Sequence, residues 1–481
     1  MTRSLRVTGA AVLVLFVSLF VSTSVVQVLA APSLTSDDRN VRNLYESFSA
    51  ERGKIFASSE LVATTEPVDS EFRFLRTYPH PGLYAPVVGY YTLTQGNAGV
   101  ESELNALLTG QSSQQFLDQL NALVTGSTPT GATVVLTLDH ELQTTAAEAL
   151  GDRAGSVVAV EPSTGRILAM VSNPTYDPNQ LAAHSTTDVI EYYRGLEADP
   201  MKPLANRAIA GDQYFPGSVF KVLVTAAALD SGRYRASSDF PNPPELQLPL
   251  STDIVTNAGG ALCGPEETVT LETALIQSCN IPFAQLGVEL GEGTIGSMAD
   301  DFGFEATLEI PMTVTPSRYP RGMDQAQLML SSFGQFDVRV TPLQVAMMSS
   351  AIAHGGELMT PHVVDEVLSD DLRVLQETEP SVYSTPLRPD TANELRRMMT
   401  VGVRQGVADR AALPGVSVAG KTGTAETGIG DGRSFWFTGF APSEQPDIAV
   451  AVVVEGVAAD GNGNTVAAPI ARAVMEKAVN R

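Results

Sequence analysis

The segment 214–229 constrains the fold of this chain more than any other. A Pro-Gly pair near its start predicts a turn, and the apolar, alanine-rich run 219–229 predicts a buried helix directly after that turn. Ser218 and Lys221 lie at the start of this helix. Residues three apart share one helical face, so the sequence predicts a serine hydroxyl beside a lysine amine in an apolar setting.

This pair has the composition of an activated nucleophile. A serine is a poor nucleophile until a base removes its proton, and a buried lysine can act as that base because desolvation lowers its pKa. Lysine is also scarce, since only five of the 30 basic residues are Lys. Lys221 alone has a serine three residues before it, and Lys421 opens a Lys-Thr-Gly-Thr string. We therefore expect Ser218 and Lys221 to act together in catalysis.

The N-terminus carries a membrane signal. Arg3 and Arg6 precede an uncharged apolar run over residues 7–32, which is long enough to cross a bilayer as a helix. The positive residues predict a cytoplasmic tail over 1–6, an anchor over 7–31 and an extracytoplasmic remainder. A cleaved signal peptide is the alternative, because residues 28–30 form a small-residue cleavage pattern. The length of the run favours the uncleaved anchor.

Charge and side-chain chemistry narrow the function further. A formal net charge of −24 argues against nucleic acid or anionic lipid as a partner. The only two cysteines, Cys263 and Cys279, form either one disulfide in an oxidising compartment or two free thiols. The five histidines show no metal-ligand spacing and none neighbours a candidate nucleophile, so we expect no metal, no cofactor and no Ser-His-Asp triad. These histidines are His80, His140, His184, His354 and His362.

At 481 residues the chain is expected to contain more than one domain. A Gly/Pro/Ser/Thr-rich loop at 126–131 predicts a boundary between a non-catalytic domain over 32–130 and a catalytic domain over 131–481. In the catalytic domain, two strand patterns come early and three come late, with helices between them. This order predicts an α+β domain with one five-stranded antiparallel sheet and a helical layer from the middle of the chain. The strand patterns cover 155–160, 166–171, 416–424, 434–440 and 448–455.

Several helices are predicted outside the Ser218 region. Thr341 and Pro342 form a helix start, since a capping residue is followed by proline at the first helical position. That helix is expected over 343–354, ending at a Gly-Gly pair. A helical region around 274–287 carries Ser278 and Asn280 and is expected to be interrupted at Pro282. Further helices or helical patterns are predicted at 34–45 (helix or linker), 113–124, 141–150, 390–401 and 467–479.

Three short motifs in order carry a family resemblance: Ser218-Val-Phe-Lys221, Ser278-Cys-Asn280 and Lys421-Thr-Gly423. Their first residues are 60 and 143 positions apart. In order, spacing and context they resemble the motifs of penicillin-recognising serine acyltransferases, the β-lactamase/transpeptidase-like fold. Flanking segments, among them Tyr214-Phe-Pro-Gly and Trp436-Phe-Thr-Gly-Phe-Ala, are similar to class B penicillin-binding proteins. The short first domain, single anchor and arginine-rich usage resemble the actinobacterial penicillin-binding protein A type.

The resemblance implies a role for each motif residue. Ser218 would attack a peptide carbonyl with Lys221 as its base, Ser278 would relay the proton to the leaving amine, and Asn280 would bond the substrate backbone and the Lys221 region. Helix capping is the alternative for Ser278 and Asn280. The substrate carboxylate would meet Lys421, Thr422 and Thr424, and Gly423 would leave room for substrate to lie against the strand. The backbone N–H groups of Ser218 and Thr424 would form the oxyanion hole.

The implied activity is that of a membrane-anchored peptidoglycan D,D-transpeptidase. It would take D-Ala-D-Ala stem peptides, form an acyl-enzyme, be acylated by β-lactams and work beside a membrane glycosyltransferase. A β-lactamase is disfavoured, because its deacylating glutamate motif has a match only at 101–105, ahead of Ser218. The alternatives are a D,D-carboxypeptidase, with water as acceptor, and a non-catalytic penicillin sensor or scaffold.

Overall fold

A five-stranded antiparallel sheet forms the centre of the C-terminal part of the protein. The computed structural model describes residues 2–29, 48, 50–70, 72–115, 130–260 and 262–480. In spatial order the strands are Ala419–Glu426, Gly432–Ala441, Ile448–Val457, Gly155–Val160 and Ile167–Asn173. All neighbouring strands are antiparallel, and early and late segments meet where Ile448–Val457 pairs with Gly155–Val160. The predicted α+β class and the five-stranded sheet are confirmed.

Both faces of this sheet are buried. Alternate side chains point to opposite faces of a strand, so Trp436 and Phe435 enter two different hydrophobic clusters. One cluster includes the helices Lys221–Asp230 and Pro342–Ala353, and the other includes His140–Leu150 and Gly463–Val479. The sequence predicted one helical layer from the middle of the chain. That layer is present on one face, and a second layer, formed by helices from both ends of the domain, covers the other face. The strands are therefore apolar on both faces.

A second sheet combines strands from distant parts of the chain. Ile55–Ala57 pairs parallel to Thr133–Leu136, and Thr133–Leu136 pairs antiparallel to Val364–Leu368. The full order is Val374–Glu377, Val364–Leu368, Thr133–Leu136, Ile55–Ala57, Glu60–Pro67 and Phe74–Thr77. Strands from both sides of residue 130 therefore share one sheet, and the two parts of the chain are joined by main-chain hydrogen bonds.

The first helix, Thr2–Ser24, continues as a π-helical turn over Val25–Leu29. Within it, the span Leu5–Gln27 is 23 residues of apolar, exposed helix, about 34 Å long at 1.5 Å per residue. It is the one helix in the described part of the chain that is long and apolar enough to cross a bilayer, and it fits a single-pass membrane anchor. A signal sequence would satisfy the same criteria.

The remaining helices agree with most of the sequence expectations. The Thr341 side chain caps its helix by accepting a hydrogen bond from Gln344 N at 3.2 Å, as predicted. The interruption expected at Pro282 is misplaced: Leu271–Ile276 ends before Ser278, and Pro282 lies in the first turn of Ile281–Leu290, where its missing N–H costs no hydrogen bond. The helical pattern predicted at 34–45, and 116–124 of the one predicted at 113–124, fall outside the described residues. Further helices are Pro81–Val88, Gly99–Glu103, Asn105–Leu108, Pro178–Ala182, Thr186–Ala198, Glu292–Asp301, Gln325–Ser331 and Pro389–Gln405.

The short strands, each of two or three residues, are Asp239–Pro241, Glu245–Gln247, Ile254–Thr256, Thr268–Thr270, Leu308–Glu309, Thr313–Val314, Leu358–Met359 and Val382–Ser384. They pair in twos outside the two larger sheets.

Candidate active site

Ser218 lies in a single 3-10 turn, Gly217–Val219, directly before the helix Lys221–Asp230. Gly217 has a φ of 53°, which a residue without Cβ adopts at little cost. Its N–H donates to Gly334 O at 2.9 Å, and Trp436 Nε1 donates to Phe215 O at 3.0 Å. The turn that carries Ser218 is thus held from two sides.

Lys221 is fully buried at the first position of this helix. Its Nζ donates to the carbonyl oxygen of Ser278 at 2.7 Å and to Asn280 Oδ1 at 2.8 Å. Burial lowers the pKa of Lys221 well below its ordinary value, and the charge of Lys421 lowers it further. Both effects shift the protonation equilibrium of Lys221 towards the neutral amine.

Ser278 lies between two helices and contacts both lysines. Its φ is 62°, a left-handed conformation that few non-glycine residues adopt, and it turns the chain between the helices ending at Ile276 and starting at Ile281. Its carbonyl accepts from Lys221, and its Oγ accepts from Lys421 Nζ at 2.7 Å. The capping alternative describes the main chain of Ser278, whose N–H donates to Leu275 O at 3.1 Å and ends the preceding helix, while its side chain bonds Lys421.

The two cysteines form a disulfide that ends inside this motif. Cys263 and Cys279 are bonded, with their Cα atoms 5.8 Å apart, and both are buried. Cys279 lies between Ser278 and Asn280, so the cross-link ties the motif to the preceding loop. Of the alternatives that the sequence left open, the structure has the disulfide.

Lys421 belongs to the edge strand Ala419–Glu426, which pairs on one side with Gly432–Ala441. Burial lowers the pKa of Lys421 to about 7, and its Nζ also donates to Thr422 O at 2.8 Å. The hydroxyls of the two neighbouring threonines differ. Thr422 is buried and donates to Val407 O at 3.2 Å. Thr424 is exposed and accepts from Gly463 N at 3.0 Å, which leaves its own hydroxyl hydrogen for another acceptor.

Gly423 is required by packing within the protein. A Cβ at this position would lie 3.1 Å from Pro216 O and 3.2 Å from Cγ1 of Val219. The expected reason for this glycine was space for substrate. The absence of a Cβ lets the turn that carries Ser218 approach the edge strand, and room for substrate beside Gly423 stays a prediction.

The eight residues predicted from the motifs come together around one cleft. The cleft has a volume of about 460 Å³. It is lined by six of them, Ser218, Ser278, Asn280, Thr422, Gly423 and Thr424. The other two, Lys221 and Lys421, are buried and reach Ser278. A larger cavity of about 530 Å³, lined by Tyr214, Phe215 and Arg433 among others, contains none of the eight.

Sequence reasoning missed one supporting side chain. Oδ1 of Asn257 accepts from Asn280 N at 2.8 Å and from Ile281 N at 3.1 Å, so it holds the start of the helix that follows Ser278. Asn280 Nδ2 in turn donates to Thr256 O at 2.8 Å. Asn257 belongs to no motif, and its distance of 23 residues from Asn280 gives no periodic signal. The two cysteines were evident from the sequence, which left open only whether they form a disulfide.

Known proteins resemble this chain along its whole length. Residues 155–476 match the penicillin binding protein transpeptidase domain, and residues 52–134 match the penicillin binding protein A dimerisation domain. Peptidoglycan D,D-transpeptidase PbpA of Mycolicibacterium smegmatis is 41% identical over 491 residues, which cover 100% of this chain and 99% of that protein.

Solved structures agree with this result. Penicillin-binding protein A from Mycobacterium tuberculosis, solved as acyl-enzyme complexes with ceftriaxone and with penicillin G, superposes with TM-scores of 0.88 and 0.85. Both are 39% identical to this chain and cover 90% of it and 100% of the solved chain. With its three motifs gathered around one cleft, the chain belongs to the penicillin-binding protein transpeptidase family.

Proposed function

We propose that this protein is a membrane-anchored peptidoglycan D,D-transpeptidase in which Ser218 forms the acyl-enzyme. Stem peptides ending in D-Ala-D-Ala would be the donors, and β-lactams would acylate the same hydroxyl. Relatives at 41% and 39% identity carry the name peptidoglycan D,D-transpeptidase, and β-lactam acyl-enzymes are known for a protein 39% identical to this chain. The geometry around Lys221 supports the roles of the individual residues.

One observation supports Lys221 as the base. A neutral amine has two N–H bonds and one lone pair, and Lys221 has two carbonyl-type acceptors, Ser278 O and Asn280 Oδ1. When each N–H donates to one of these two oxygen atoms, the nitrogen lone pair remains available to accept a proton. Ser218 lines the cleft three residues earlier, in the turn that precedes the helix of Lys221, so we assign its hydroxyl proton to that lone pair.

Proton transfer to the leaving amine would use Ser278, which contacts both lysines. Ser278 Oγ already accepts from Lys421, so its own hydrogen is free to move to the departing nitrogen of D-Ala. Ser278 would then take up the proton that Lys221 received from Ser218, so that Lys421 keeps its charge for the substrate carboxylate. The bond broken is the peptide C–N, and the bond formed is the ester between Ser218 Oγ and the acyl carbon.

Substrate binding would use the outer edge of the strand Ala419–Glu426. An extended peptide can add to an exposed sheet edge through main-chain hydrogen bonds. The charge of Lys421 and the free hydroxyl hydrogen of Thr424 suit a terminal carboxylate. Thr422 contributes through the cleft wall, because its hydroxyl is already bonded to Val407. The N–H groups of Ser218 and Thr424 would hold the oxyanion, at about 3–4 kcal/mol for each donor.

Labelling with a fluorescent penicillin tests the central assignment. Wild-type protein should become covalently labelled and Ser218→Ala should not, while both have the same unfolding temperature. Labelling that persists in Ser218→Ala would remove Ser218 as the nucleophile. If the label that persists in Ser218→Ala is non-covalent, a non-catalytic penicillin-binding scaffold becomes the better description of the protein.

Product analysis separates transpeptidation from the D,D-carboxypeptidase alternative. A D-Ala-D-Ala peptide is incubated with and without an acceptor amine. Transpeptidation predicts a new amide product in the presence of the amine. A hydrolysed peptide as the only product under both conditions would favour the carboxypeptidase.

The orientation in the membrane, the division into domains and a protein partner are also proposals. Arg3 and Arg6 before the apolar helix favour a cytoplasmic N-terminus and an extracytoplasmic catalytic domain over 131–481, after a non-catalytic domain over 32–130. A membrane glycosyltransferase would supply the glycan strands to be cross-linked. Reporter fusions after residue 31 test the orientation, and crosslinking in intact membranes tests the partner.

A further inference from the structure

Three potential metal ligands meet away from the catalytic cleft. Glu60, His80 and His140 each offer one ligand atom, and these atoms all lie within 4.8 Å of one another. His80 Nε2 is 2.8 Å from Glu60 Oε1, and the two imidazole rings are 5.1 Å apart at their centres. We name these three residues the Glu60 cluster. The cluster is independent of the proposed function.

Each member is placed by the start of a regular element. Glu60 begins the strand Glu60–Pro67, His80 directly precedes the helix Pro81–Val88, and His140 begins the helix His140–Leu150. These elements come from both sides of residue 130. The backbone therefore fixes the three side chains against one another, although 60 residues of chain separate the two histidines.

A buried tyrosine orients one of the rings. Tyr84 Oη lies 2.9 Å from His140 Nδ1, and the Tyr84 side chain is 1% exposed. Metal-bound histidines commonly have such an outer hydrogen-bond partner, which holds the ring in place. The three cluster residues themselves are half-buried, so an ion from solvent can reach them.

The chemistry of this set fits a transition-metal ion. Two imidazoles and one carboxylate, with water in a fourth position, form a ligand set that Zn²⁺ uses. Bonds of about 2.0–2.1 Å in a tetrahedron place neighbouring ligand atoms about 3.3 Å apart. On binding, the distance between His80 Nε2 and Glu60 Oε1 would increase by a few tenths of an ångström, and the distance between the two ligand atoms farthest apart would decrease. These are side-chain movements only.

We propose that Glu60, His80 and His140 bind one Zn²⁺, with water as the fourth ligand, and that the ion cross-links the two parts of the chain. Thiolate ligands do not compete, because the only two cysteines are bonded to each other. Binding would favour the folded state, since the three ligands converge only there.

Zinc titration of the full-length protein in detergent tests this proposal. After chelator treatment and dialysis, isothermal titration with ZnCl₂ should give one site per chain with a dissociation constant in the micromolar range or below. His80→Gln and His140→Gln should each weaken binding about tenfold or more. The matched control is His354→Gln, because His354 has a carboxylate neighbour at 3.6 Å, Glu357, but belongs to no three-ligand cluster among the described residues. It should leave the affinity unchanged.

Two further readouts keep the result decisive. Co²⁺ bound in place of Zn²⁺ should give the visible absorption of a tetrahedral site in wild type and not in His140→Gln. Zn²⁺ should raise the unfolding temperature of wild type and of His354→Gln, but not of His80→Gln. Near-ultraviolet circular dichroism establishes that each variant is folded. The proposal is overturned if wild type binds no Zn²⁺, or if folded His80→Gln and His140→Gln bind it as wild type does.

Discussion

Lys221 Nζ lies 2.8 Å from Asn280 Oδ1, so a fully buried amine faces a neutral acceptor. An amide oxygen can accept a hydrogen bond from a neutral amine without adding charge. A carboxylate in the same place would instead favour the ammonium form and raise the pKa of Lys221. The side-chain type at position 280 therefore controls whether Lys221 can accept a proton.

Asn280→Asp should remove the base at neutral pH. The introduced carboxylate pairs with Lys221 and keeps it protonated, so we expect penicillin acylation to slow about 100-fold or more, the scale of general-base catalysis. The rate should recover as the pH rises and Lys221 loses its proton. The measurement is the second-order acylation rate across pH.

Asn280→Ala is the matched control for that experiment. It removes the acceptor without adding charge, so the rate should fall without an alkaline recovery. If Asn280→Asp acylates at the wild-type rate with the wild-type pH profile, Lys221 is not the base.

Lys421 should produce a pH limit that depends on the substrate carboxylate. Its pKa is about 7, so it is charged below that pH and neutral above it. For a D-Ala-D-Ala peptide, kcat/KM should fall above about pH 7, since this parameter reports the free enzyme. The same peptide with its terminal carboxylate converted to a carboxamide should react slowly, and its kcat/KM should not fall above pH 7. An equal decline with both peptides would contradict a role of Lys421 in carboxylate binding.

Gly423→Ala should displace the turn that carries Ser218. A Cβ at position 423 would lie 3.1 Å from both Pro216 O and Trp436 Cβ, closer than most Cβ contacts, so the turn must shift by a few tenths of an ångström. We expect acylation to slow about tenfold and stability to fall by about 1–3 kcal/mol, the usual cost of overpacking. Gly195→Ala is the control, because a Cβ there meets no atom within 4 Å and the helix Thr186–Ala198 gains a better helix former. Equal effects of the two substitutions would refute this account of Gly423.

The parts of the fold that were predictable from sequence are those with local signals. Buried strands appear as continuous apolar runs, Thr341 with Pro342 marks a helix start, and the spacing of Ser218 and Lys221 follows one helical turn. The order of early and late strands predicted one sheet. The second helical layer was missed because the helix at 140–150 precedes the sheet and the one at 463–479 follows it, and a periodic pattern does not say which face a helix covers.

Other features depend on contacts between distant residues. The pairing of Thr133–Leu136 with Val364–Leu368 joins positions more than 220 residues apart, and neither strand carries a signal for its partner. The contacts of Ser278 with Lys221 and Lys421 likewise join residues 57 and 143 positions apart, although its left-handed conformation is a local one that ends the preceding helix. His80 and His140 showed no ligand spacing for the same reason, since the fold and not the chain brings them together.

Glu101→Gln should destabilise the N-terminal part of the protein. Glu101 is fully buried between Arg52 Nε and Arg76 Nε, each at 2.6 Å, and removing its charge leaves two buried guanidinium groups without a counter-charge. Breaking a buried ion pair in this way costs about 3–5 kcal/mol.

The same carboxylate should make stability depend on pH. Although burial raises the pKa of Glu101, the two arginines lower it overall. Its contribution to stability is therefore present above the unfolded-state pKa and lost as the pH falls through the folded-state pKa. The unfolding temperature of wild type should therefore drop more steeply below about pH 4 than that of Glu101→Gln. Glu103→Gln, at an exposed position two residues away, should melt like wild type, and if Glu101→Gln does so as well, the pair contributes nothing to stability.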